Sequence, residues 1–312
     1  MTKKIYVIMG ATGHIGHTLT QELLKHSHHV IALGRNQRKL ATLKAGGAQV
    51  IATEDFDRLD VLNTAFKGAQ AVFSFIPPNY SAEDYPLYQD RVGETIKTAV
   101  EKNHVPFVVN LSSLAAHLSE NTGPIKGLYR QEQRLNTLKS TQVLHVRPGY
   151  FMENLLMSIP SIYHTGIHRS PLLANNAIDL IATQDIAYKV AEFLHRLDFN
   201  GHTVFELVGP RPLNMIETTR RLGKAIKKPD LQYEQISYEE AEKQMHESRI
   251  KPSRAKLMVE MYKAINEGKF RPTQKITAEH RGQTTLETFA EVFAHAYKEQ
   301  EKQTRDMGKL AM

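Results

Sequence analysis

Residues 5–16 read IYVIMGATGHIG, an apolar run that leads into glycines spaced G-x-x-G-x-x-G. Apolar residues at Ile15, Leu19 and Leu23 then recur with the period of a helix. Between a strand and a helix, such glycines permit a tight turn, close approach to a pyrophosphate and close packing of the helix. An ordinary glycine-rich turn is the alternative interpretation. The predicted phosphate-binding loop comprises Gly10, Thr12, Gly13, His14, Ile15 and Gly16.

The second apolar run, Val30–Leu33, leads into basic residues. An acid at the end of this strand would bond the ribose 2′-hydroxyl of NAD and repel a 2′-phosphate. Here Arg35 and Asn36 follow the strand, and Arg38 comes shortly after. A guanidinium pairs with a phosphate through two hydrogen bonds. The sequence therefore predicts NADP(H) as the preferred cofactor and NAD(H) as the lesser one, with a solvated arginine as the alternative.

Strand-like and helix-like patterns alternate through the first half of the chain, which is typical of a parallel sheet covered on both faces. The predicted fold is α/β: a doubly wound parallel sheet of the Rossmann type with a smaller, mainly helical C-terminal lobe. We expect residues 1–150 to form the dinucleotide-binding domain and residues 151–298 the lobe, with about 180–210 returning to the core. The last packed helix is predicted over Glu287–Lys298, and the polar residues 299–312 are expected to be a frayed tail.

Composition excludes several classes of function. The chain has no cysteine, so it has no disulfide, thiolate nucleophile or cysteine-ligated cluster. The net charge of +7 comes from 40 basic and 33 acidic residues spread along the chain, which disfavours nucleic-acid binding. The basic run at 251–254 is interpreted as a solvated loop. Because neither a membrane-spanning run nor a signal peptide is recognisable, we expect a cytoplasmic protein that makes no contact with a membrane. We expect it to be a monomer or a homodimer. The spacing of the histidines predicts no metal site.

Further segments resemble a known family. In chain order they are GATGHIG, LGRNQRKL, KGAQAVFSFIPP, VVNLSS, RPGYFMENLL, TQDIA and FELVGPRPL, between Ile5 and about Leu213. Together they resemble the NmrA-like group of the atypical short-chain dehydrogenase/reductase superfamily. The run RPGYFMENLL is the most discriminating of them, because glycine-rich nucleotide motifs occur in many other proteins.

The resemblance implies positions for a cofactor and a substrate. The residues expected around the adenine, the ribose and the pyrophosphate are Asp55, Phe56, Phe75, Ile76 and Pro77. Those expected near the nicotinamide are Ser112, Pro148, Gly149, Tyr150 and Phe151. Asn154 is expected to face the substrate cleft, and Tyr129 and Phe151 are expected to contact the substrate.

The chain departs from the superfamily in its acid–base pair. Typical members carry Tyr-x-x-x-Lys, in which the lysine lowers the pKa of the tyrosine. Here Tyr129 is followed four residues later by Gln133, and Leu128 lies near the position where NmrA-like proteins often have histidine or lysine. Lys126 is nearby, in what the sequence indicates is a loop. The candidates for catalysis are therefore Tyr129, Ser112 and Lys126, and alcohol–ketone chemistry with a phenolate base is not expected.

The missing lysine leaves two main functions open. Some relatives bind NADP(H) as sensors and act on a regulatory protein partner, whereas others reduce quinones or azo compounds. Such a reduction proceeds by direct hydride transfer with protons from water, and it needs positioning more than a strong acid. We favour an NADPH-dependent oxidoreductase that acts on a small aromatic electrophile. A redox sensor is the alternative, and the missing Tyr-x-x-x-Lys disfavours a sugar-nucleotide epimerase.

Overall fold

The structure is a computed structural model, and it describes residues 4–310. Its strands are β1 (Ile5–Ile8), β2 (His29–Gly34), β3 (Gln49–Ala52), β4 (Ala69–Ser74), β5 (Phe107–Leu111), β6 (Gln142–Pro148), β7 (Tyr150–Phe151), β8 (Ile167–Ser170), β9 (Leu180–Ile181), β10 (His202–Leu207) and β11 (Gln232–Gln235). Its α-helices are α1 (His14–Lys25), α2 (Gln37–Ala45), α3 (Leu59–Phe66), α4 (Tyr85–Lys102), α5 (Ile125–Leu135), α6 (Ile159–Thr165), α7 (Thr183–Arg196), α8 (Met215–Ala225), α9 (Tyr238–Glu247), α10 (Pro252–Asn266) and α11 (Leu286–Leu310). Two 3-10 helices span Met152–Ser158 and Ala278–His280.

Seven of the described strands form one parallel sheet in the order β10-β6-β5-β4-β1-β2-β3. The strand order reverses between β1 and β4, which defines the switch point of a doubly wound sheet. Ligands of such sheets bind outside the carboxyl ends of the strands at this point. The predicted Rossmann-type α/β fold is therefore confirmed.

The sheet is buried on both faces, which explains why its strands read as continuous apolar runs. On one face, side chains such as Leu19 and Val190 join α1 and α7 to a core that also contains α2. On the other face, Ile96 and Leu135 join α4 and α5 to a core that also contains α3. Burial on both faces leaves the ends of the strands as the place where a ligand meets the sheet.

The chain after β6 contributes to both parts of the molecule. β10 pairs with β6 at the edge of the large sheet, and α7 packs in the same core as α1. A third core contains residues of α6, α8, α10 and α11, with Phe293 fully buried in it. Two small parallel pairs, β7–β9 and β8–β11, complete this lobe within the described residues. Of the helices described, none is both long and apolar enough to cross a bilayer.

Two helices differ from their predicted extents. The sequence predicts a helix over Gln131–Leu138, but α5 begins six residues earlier, at Ile125, so Lys126 lies in its first turn and not in a loop. A Cβ on Gly127 would lie 2.3 Å from the amide of Gln89, so this glycine permits close contact between α4 and α5. Helix α11 continues to Leu310, so the expected frayed tail is helical as far as the structure describes it. Residues 311–312 lie outside the described residues.

Residues 252–254 of the basic run are also helical, contrary to the expected solvated loop. Lys251 is the N-cap residue of α10, and Pro252 is its first residue. Proline is favoured there because the first N–H of a helix has no partner within the helix. Lys251 Nζ pairs with Glu83 Oε1 at 2.5 Å, and Ser253 Oγ donates to the carbonyl oxygen of Glu83 at 2.7 Å. These contacts attach the start of α10 to the loop between β4 and α4.

Candidate functional site

The glycine loop between β1 and α1 lies at the switch point of the sheet. Gly10 has a φ of +65°, a left-handed conformation that favours glycine. A Cβ on Gly16 would lie 2.3 Å from the carbonyl oxygen of Gly10, so α1 packs on the loop only because residue 16 has no side chain. A Cβ on Gly13 would lie 3.4 Å from that oxygen, and Gly13 is exposed. Gly13 is therefore the glycine that a ligand can approach.

The N-terminus of α1 has the properties of an anion site. The helix begins at His14; its N-cap residue, Gly13, has no side chain that could cap the helix, and its first turn contains no acid. In α2 and α4, by contrast, the side chains of Asn36 and Asp84 accept hydrogen bonds from the first turn. His14 and Thr12 are accessible, whereas Ile15 is buried in the core. The start of α1 thus fits a phosphate group.

Basic side chains surround the end of β2. Arg35 and Arg38 are exposed there. The Asn36 side chain accepts a hydrogen bond from the Lys39 backbone N–H at 3.0 Å and so caps α2. Lys39 Nζ donates to the carbonyl oxygen of Thr12 at 3.3 Å, which joins α2 to the glycine loop. Positive charge therefore lies beside the loop, although the Asn36 side chain is used to cap a helix.

The residues predicted to flank the adenine differ in accessibility. Asp55 is exposed after β3, and its carbonyl oxygen accepts a hydrogen bond from Thr53 Oγ1 at 2.8 Å. Phe56 is only 3% exposed and belongs to the core that contains α3 and α4. Core packing therefore accounts for the Phe56 side chain, whereas Asp55 is placed where a ligand can reach it.

The loop after β4 lies against the glycine loop. A Cβ on Gly10 would be 2.4 Å from the ring of Phe75, so this ring covers Gly10 directly. Ile76 and Pro77 are buried behind it, and the Pro77 carbonyl oxygen accepts a hydrogen bond from the Tyr88 hydroxyl at 2.8 Å. Burial raises the pKa of Tyr88, so the hydroxyl stays protonated and holds the loop. The two loops therefore form one continuous surface at the switch point.

The segment Pro148–Phe151 leads from β6 into the C-terminal lobe. A Cβ on Gly149 would lie 2.2 Å from the carbonyl oxygen of Asp179, so this glycine permits close packing against the segment before β9. Burial raises the pKa of Tyr150 well above its usual range, and a hydrogen bond with Asn154 opposes only part of the shift. Tyr150 therefore stays protonated, and Asn154 lies beside its hydroxyl.

Ser112 belongs to a buried ion pair. Its Oγ donates to Glu132 Oε1 at 2.5 Å, and Arg147 binds both oxygens of the same carboxylate, at 2.9 Å through Nε and 2.5 Å through Nη2. Glu132 is 1% exposed, and a buried carboxylate is stable only when it is paired and hydrogen-bonded. The geometry gives Ser112 a structural role, and it leaves the predicted catalytic role without support.

Lys126 and Tyr129 lie on one face of α5, because residues three apart are neighbours on a helix. Lys126 Nζ lies 3.1 Å from Oε1 and 3.3 Å from Oε2 of Glu260 on α10, and the Gly123 backbone N–H donates to Oε1 at 3.2 Å. Lys126 therefore joins α5 to α10. Tyr129 is half-buried, and its hydroxyl has no hydrogen-bond partner in the described part of the chain. The next turn presents Gln133, so the structure offers Tyr129 no cation from that position.

Sequence reasoning missed the buried arginine of α10. Arg254 is 6% exposed, and its guanidinium lies over the rings of Tyr80 and Tyr85. Both tyrosines belong to the region after β4, and Tyr80 is on the loop that leads from the glycine-loop surface into α4. No motif in the sequence signalled this contact, because its partners lie far apart in the chain.

A doubly wound sheet with a glycine loop and an open helix N-terminus at its switch point defines a dinucleotide-binding type of α/β protein. Comparison with family models places the chain more closely. The chain belongs to the NmrA-like family, whose model matches residues 1–293. The resemblance seen in the sequence is therefore confirmed.

Individual relatives are distant. An NAD(P)H azoreductase of Xenophilus azovorans is 28% identical over 259 residues, which cover 82% of this chain and 85% of the relative. An NADPH-dependent quinone oxidoreductase of Escherichia coli, solved with NADPH, has a TM-score of 0.77 at 20% identity, covering 94% of this chain and 99% of that one. NmrA, a negative transcriptional regulator solved with NADP, has a TM-score of 0.71 at 16% identity, covering 96% and 98%. The solved structures are similar in fold, while their activities differ.

Proposed function

We propose that the protein is an NADPH-dependent oxidoreductase that reduces a small aromatic electrophile, such as a quinone or an azo compound. One observation carries the proposal: the uncapped N-terminus of α1 and the accessible Gly13 lie at the switch point, next to the exposed Arg35 after β2. The quinone oxidoreductase and the regulator of similar fold were solved with NADPH and NADP. NADPH supplies a hydride when it is bound.

The cofactor side of the site comprises the glycine loop, the start of α1 and the end of β2, and its residues bind different parts of the cofactor. The N–H groups at the start of α1 receive the pyrophosphate, and Gly13 lets it approach because it has no side chain. Arg35 pairs with the 2′-phosphate through charge-assisted hydrogen bonds, and Arg38 and Lys39 add positive charge. The ring of Phe75 covers Gly10 and forms an apolar wall beside the loop. NAD(H) lacks the 2′-phosphate and binds less tightly.

The acceptor side of the site, which comprises α5, α10 and residues 148–154, suits a flat aromatic ring. Burial raises the pKa of Tyr150 and of Tyr262, so both phenols stay neutral and present apolar faces. A quinone or an azo compound needs orientation and exclusion of water more than a strong acid, since the reduced anion takes its proton from water. That requirement agrees with a site in which Ser112 and Lys126 are engaged by other side chains.

A second candidate function is a redox sensor that binds NADP(H) and a protein partner without turnover. The observation in its favour is the same engagement of Ser112 with Glu132 and of Lys126 with Glu260, which leaves the acceptor side without an evident proton donor. The similarity to a transcriptional regulator agrees with it. The sensor and the reductase share the cofactor side and differ only in what occupies the acceptor side.

Turnover separates the two candidates. The experiment measures the loss of NADPH absorbance with purified protein and a panel of quinones and azo dyes, beside calorimetric titration with NADPH and NADP⁺. We expect NADPH to be consumed with at least one acceptor, and an excess of NADP⁺ to inhibit. Tight binding of both cofactor forms without consumption of NADPH by any acceptor would replace the reductase with the sensor. If the protein binds neither NADPH nor NADP⁺, both candidate functions are excluded.

A further inference from the structure

Helix α7 begins without a capping side chain of its own. Its N-cap residue is Ala182, whereas serine, threonine, aspartate and asparagine are favoured there because their oxygens bind the free N–H groups. Glu153 supplies such oxygens from thirty residues earlier in the chain. Its Oε1 and Oε2 accept the Thr183 backbone N–H at 3.0 and 3.1 Å, and Oε1 also accepts Thr183 Oγ1 at 2.5 Å. The start of α7 is therefore capped by the segment that follows β6.

Glu153 lies in the 3-10 helix Met152–Ser158. Such helices are seldom this long, because their hydrogen-bond geometry is poor, so this one depends on its side chains for anchorage. With three residues per turn, three consecutive side chains point to three different faces. Met152 is buried in the core of the lobe, and Glu153 binds the start of α7. The third side chain, Asn154, lies beside the Tyr150 hydroxyl, so the two anchors determine where Asn154 points.

The helix that Glu153 binds also packs against the helix of the cofactor side. Val190 of α7 and Leu19 of α1 are fully buried in one core. The bond between Glu153 and Thr183 therefore connects the acceptor side to the helix whose start receives the pyrophosphate under the proposed function. Hydride transfer requires the reacting atoms to be about 3 to 3.5 Å apart, and a small displacement lowers the rate strongly. A contact that sets the distance between the two sides can thus affect the rate without contacting either ligand.

We propose that Glu153 is a positioning residue for hydride transfer. Through Thr183 it fixes residues 150–154, on the acceptor side, relative to α7 and α1. The proposal rests on the proposed function, and it adds a residue that acts through another and not on the ligands. The hydride comes from NADPH and the proton from water, so Glu153 supplies neither. The effect expected of Glu153 is therefore on kcat and not on the affinity for the cofactor.

The same helix offers a matched contact that makes no hydrogen bond to residues 150–154. Asp185 accepts the Thr284 backbone N–H at 2.8 Å and Thr284 Oγ1 at 2.7 Å. Thr183 is 5% and Thr284 7% exposed, so a valine at either position removes a buried hydrogen bond to a carboxylate. Thr284 Oγ1 also accepts Gln184 Nε2 at 2.8 Å, so Thr284→Val should be destabilised at least as much as Thr183→Val.

The experiment measures kcat for NADPH oxidation, the dissociation constant of NADPH by calorimetry, and the melting temperature. The acceptor is the one in the panel that the wild type reduces fastest, beginning with 1,4-naphthoquinone. We expect Thr183→Val to lower kcat about tenfold and to leave the NADPH dissociation constant within about twofold. Thr284→Val should leave both within about twofold, although its melting temperature falls at least as far. Glu153→Gln keeps an acceptor oxygen and should retain more of kcat than Glu153→Ala.

The outcomes separate this proposal from the proposed function. Equal kcat in Thr183→Val and Thr284→Val would overturn the proposal, because the Glu153 contact would then be structural only. Weaker NADPH binding in Thr183→Val with an unchanged kcat would also overturn it, since the contact would then serve the cofactor. Turnover in the wild type with the same kcat in Glu153→Ala would remove the proposal alone. If the wild type oxidises NADPH with no acceptor in the panel, the reductase and the proposal fail together.

Discussion

The two sides of the candidate site are built from different parts of the chain. The cofactor side depends on backbone: glycines at positions 10, 13 and 16, and the open N–H groups of α1. The acceptor side depends on side chains whose partners come from other elements, as with Lys126 and Glu260. A site built from backbone can be recognised in the sequence, because only glycine fits its conformation and close contacts. A side-chain site does not, because the same residues serve either chemistry or packing according to what they meet.

The largest expected effect tests whether the Glu132 cluster is structural. Replacement of Glu132 by alanine leaves Arg147 buried without its partner, so we expect a loss of about 3 to 5 kcal/mol in the free energy of unfolding. Urea denaturation of the variant and the wild type measures it. The partly exposed pair between Arg169 and Glu234 is the control, and Glu234→Gln should cost about 1 kcal/mol or less. Unchanged stability in Glu132→Ala together with lost turnover would make Glu132 a catalytic acid instead.

The next effect separates two roles within the glycine loop. Gly16→Ala places a Cβ against backbone atoms of Gly10, so we expect about 1 to 3 kcal/mol of destabilisation in the protein without cofactor. Gly13→Ala has room for its Cβ and should leave the melting temperature unchanged. It should nevertheless weaken NADPH binding about tenfold, since the methyl group stands where the pyrophosphate approaches. Wild-type NADPH affinity in Gly13→Ala would show that the phosphate does not bind at this loop.

The cofactor side was predictable because its signals are local. The apolar run before Gly10, the helical period after Gly13 and the basic Arg35 all lie within a short stretch of chain, and the structure keeps them together. The doubly wound topology followed from the same regularity, since alternating strands and helices leave few topologies. Phe56 shows the limit of this reasoning, because the position relative to β3 was right while the ring turned out to be buried in the core.

The acceptor side was not predictable, because its signals are tertiary. Gly127 lies in the first turn of α5, which the sequence did not predict. A glycine is needed there because the side chain of Gln89 on α4 comes close to its backbone. Arg254 follows a proline in a basic run and suggested a solvated loop, yet Tyr80 and Tyr85 bury it. Ser112 was expected in catalysis, and its use by Glu132 depends on a helix that lies twenty residues later. In each case the deciding neighbour was absent from the local pattern.

A smaller effect concerns the choice of cofactor. We expect Arg35→Ala to weaken NADPH binding about tenfold, close to 1.4 kcal/mol, because a charge-assisted pair with the 2′-phosphate is lost. NADH binding should stay within about twofold, since NADH carries an uncharged 2′-hydroxyl in place of the phosphate. Calorimetric titration of both cofactors measures the difference. Lys44→Ala, an exposed cation in the last turn of α2, is the control and should change neither affinity. Wild-type protein that binds NADH as tightly as NADPH would contradict the assignment.

The smallest effect is the most informative about the acceptor side. If Tyr129 is not an acid, Tyr129→Phe should change kcat by no more than about twofold, because protons come from water and Gln133 places no positive charge beside the phenol. Lys126→Met should have an equally small effect on kcat. It should reduce the free energy of unfolding by about 1 kcal/mol or less, since its pair with Glu260 is partly exposed.

If Tyr129→Phe lowers activity more than expected, the kinetic parameter that changes would identify the role of Tyr129. A large loss of kcat in Tyr129→Phe, with KM unchanged and the pH profile of kcat altered, would make Tyr129 the proton donor and the acceptor side a true acid–base site. A loss confined to KM would make it a ring that orients the acceptor. Tyr188→Phe, on the exposed face of α7, controls for the loss of a hydroxyl elsewhere. The Tyr129→Phe variant therefore shows whether this chain, which lacks Tyr-x-x-x-Lys, still uses a tyrosine as its catalytic acid.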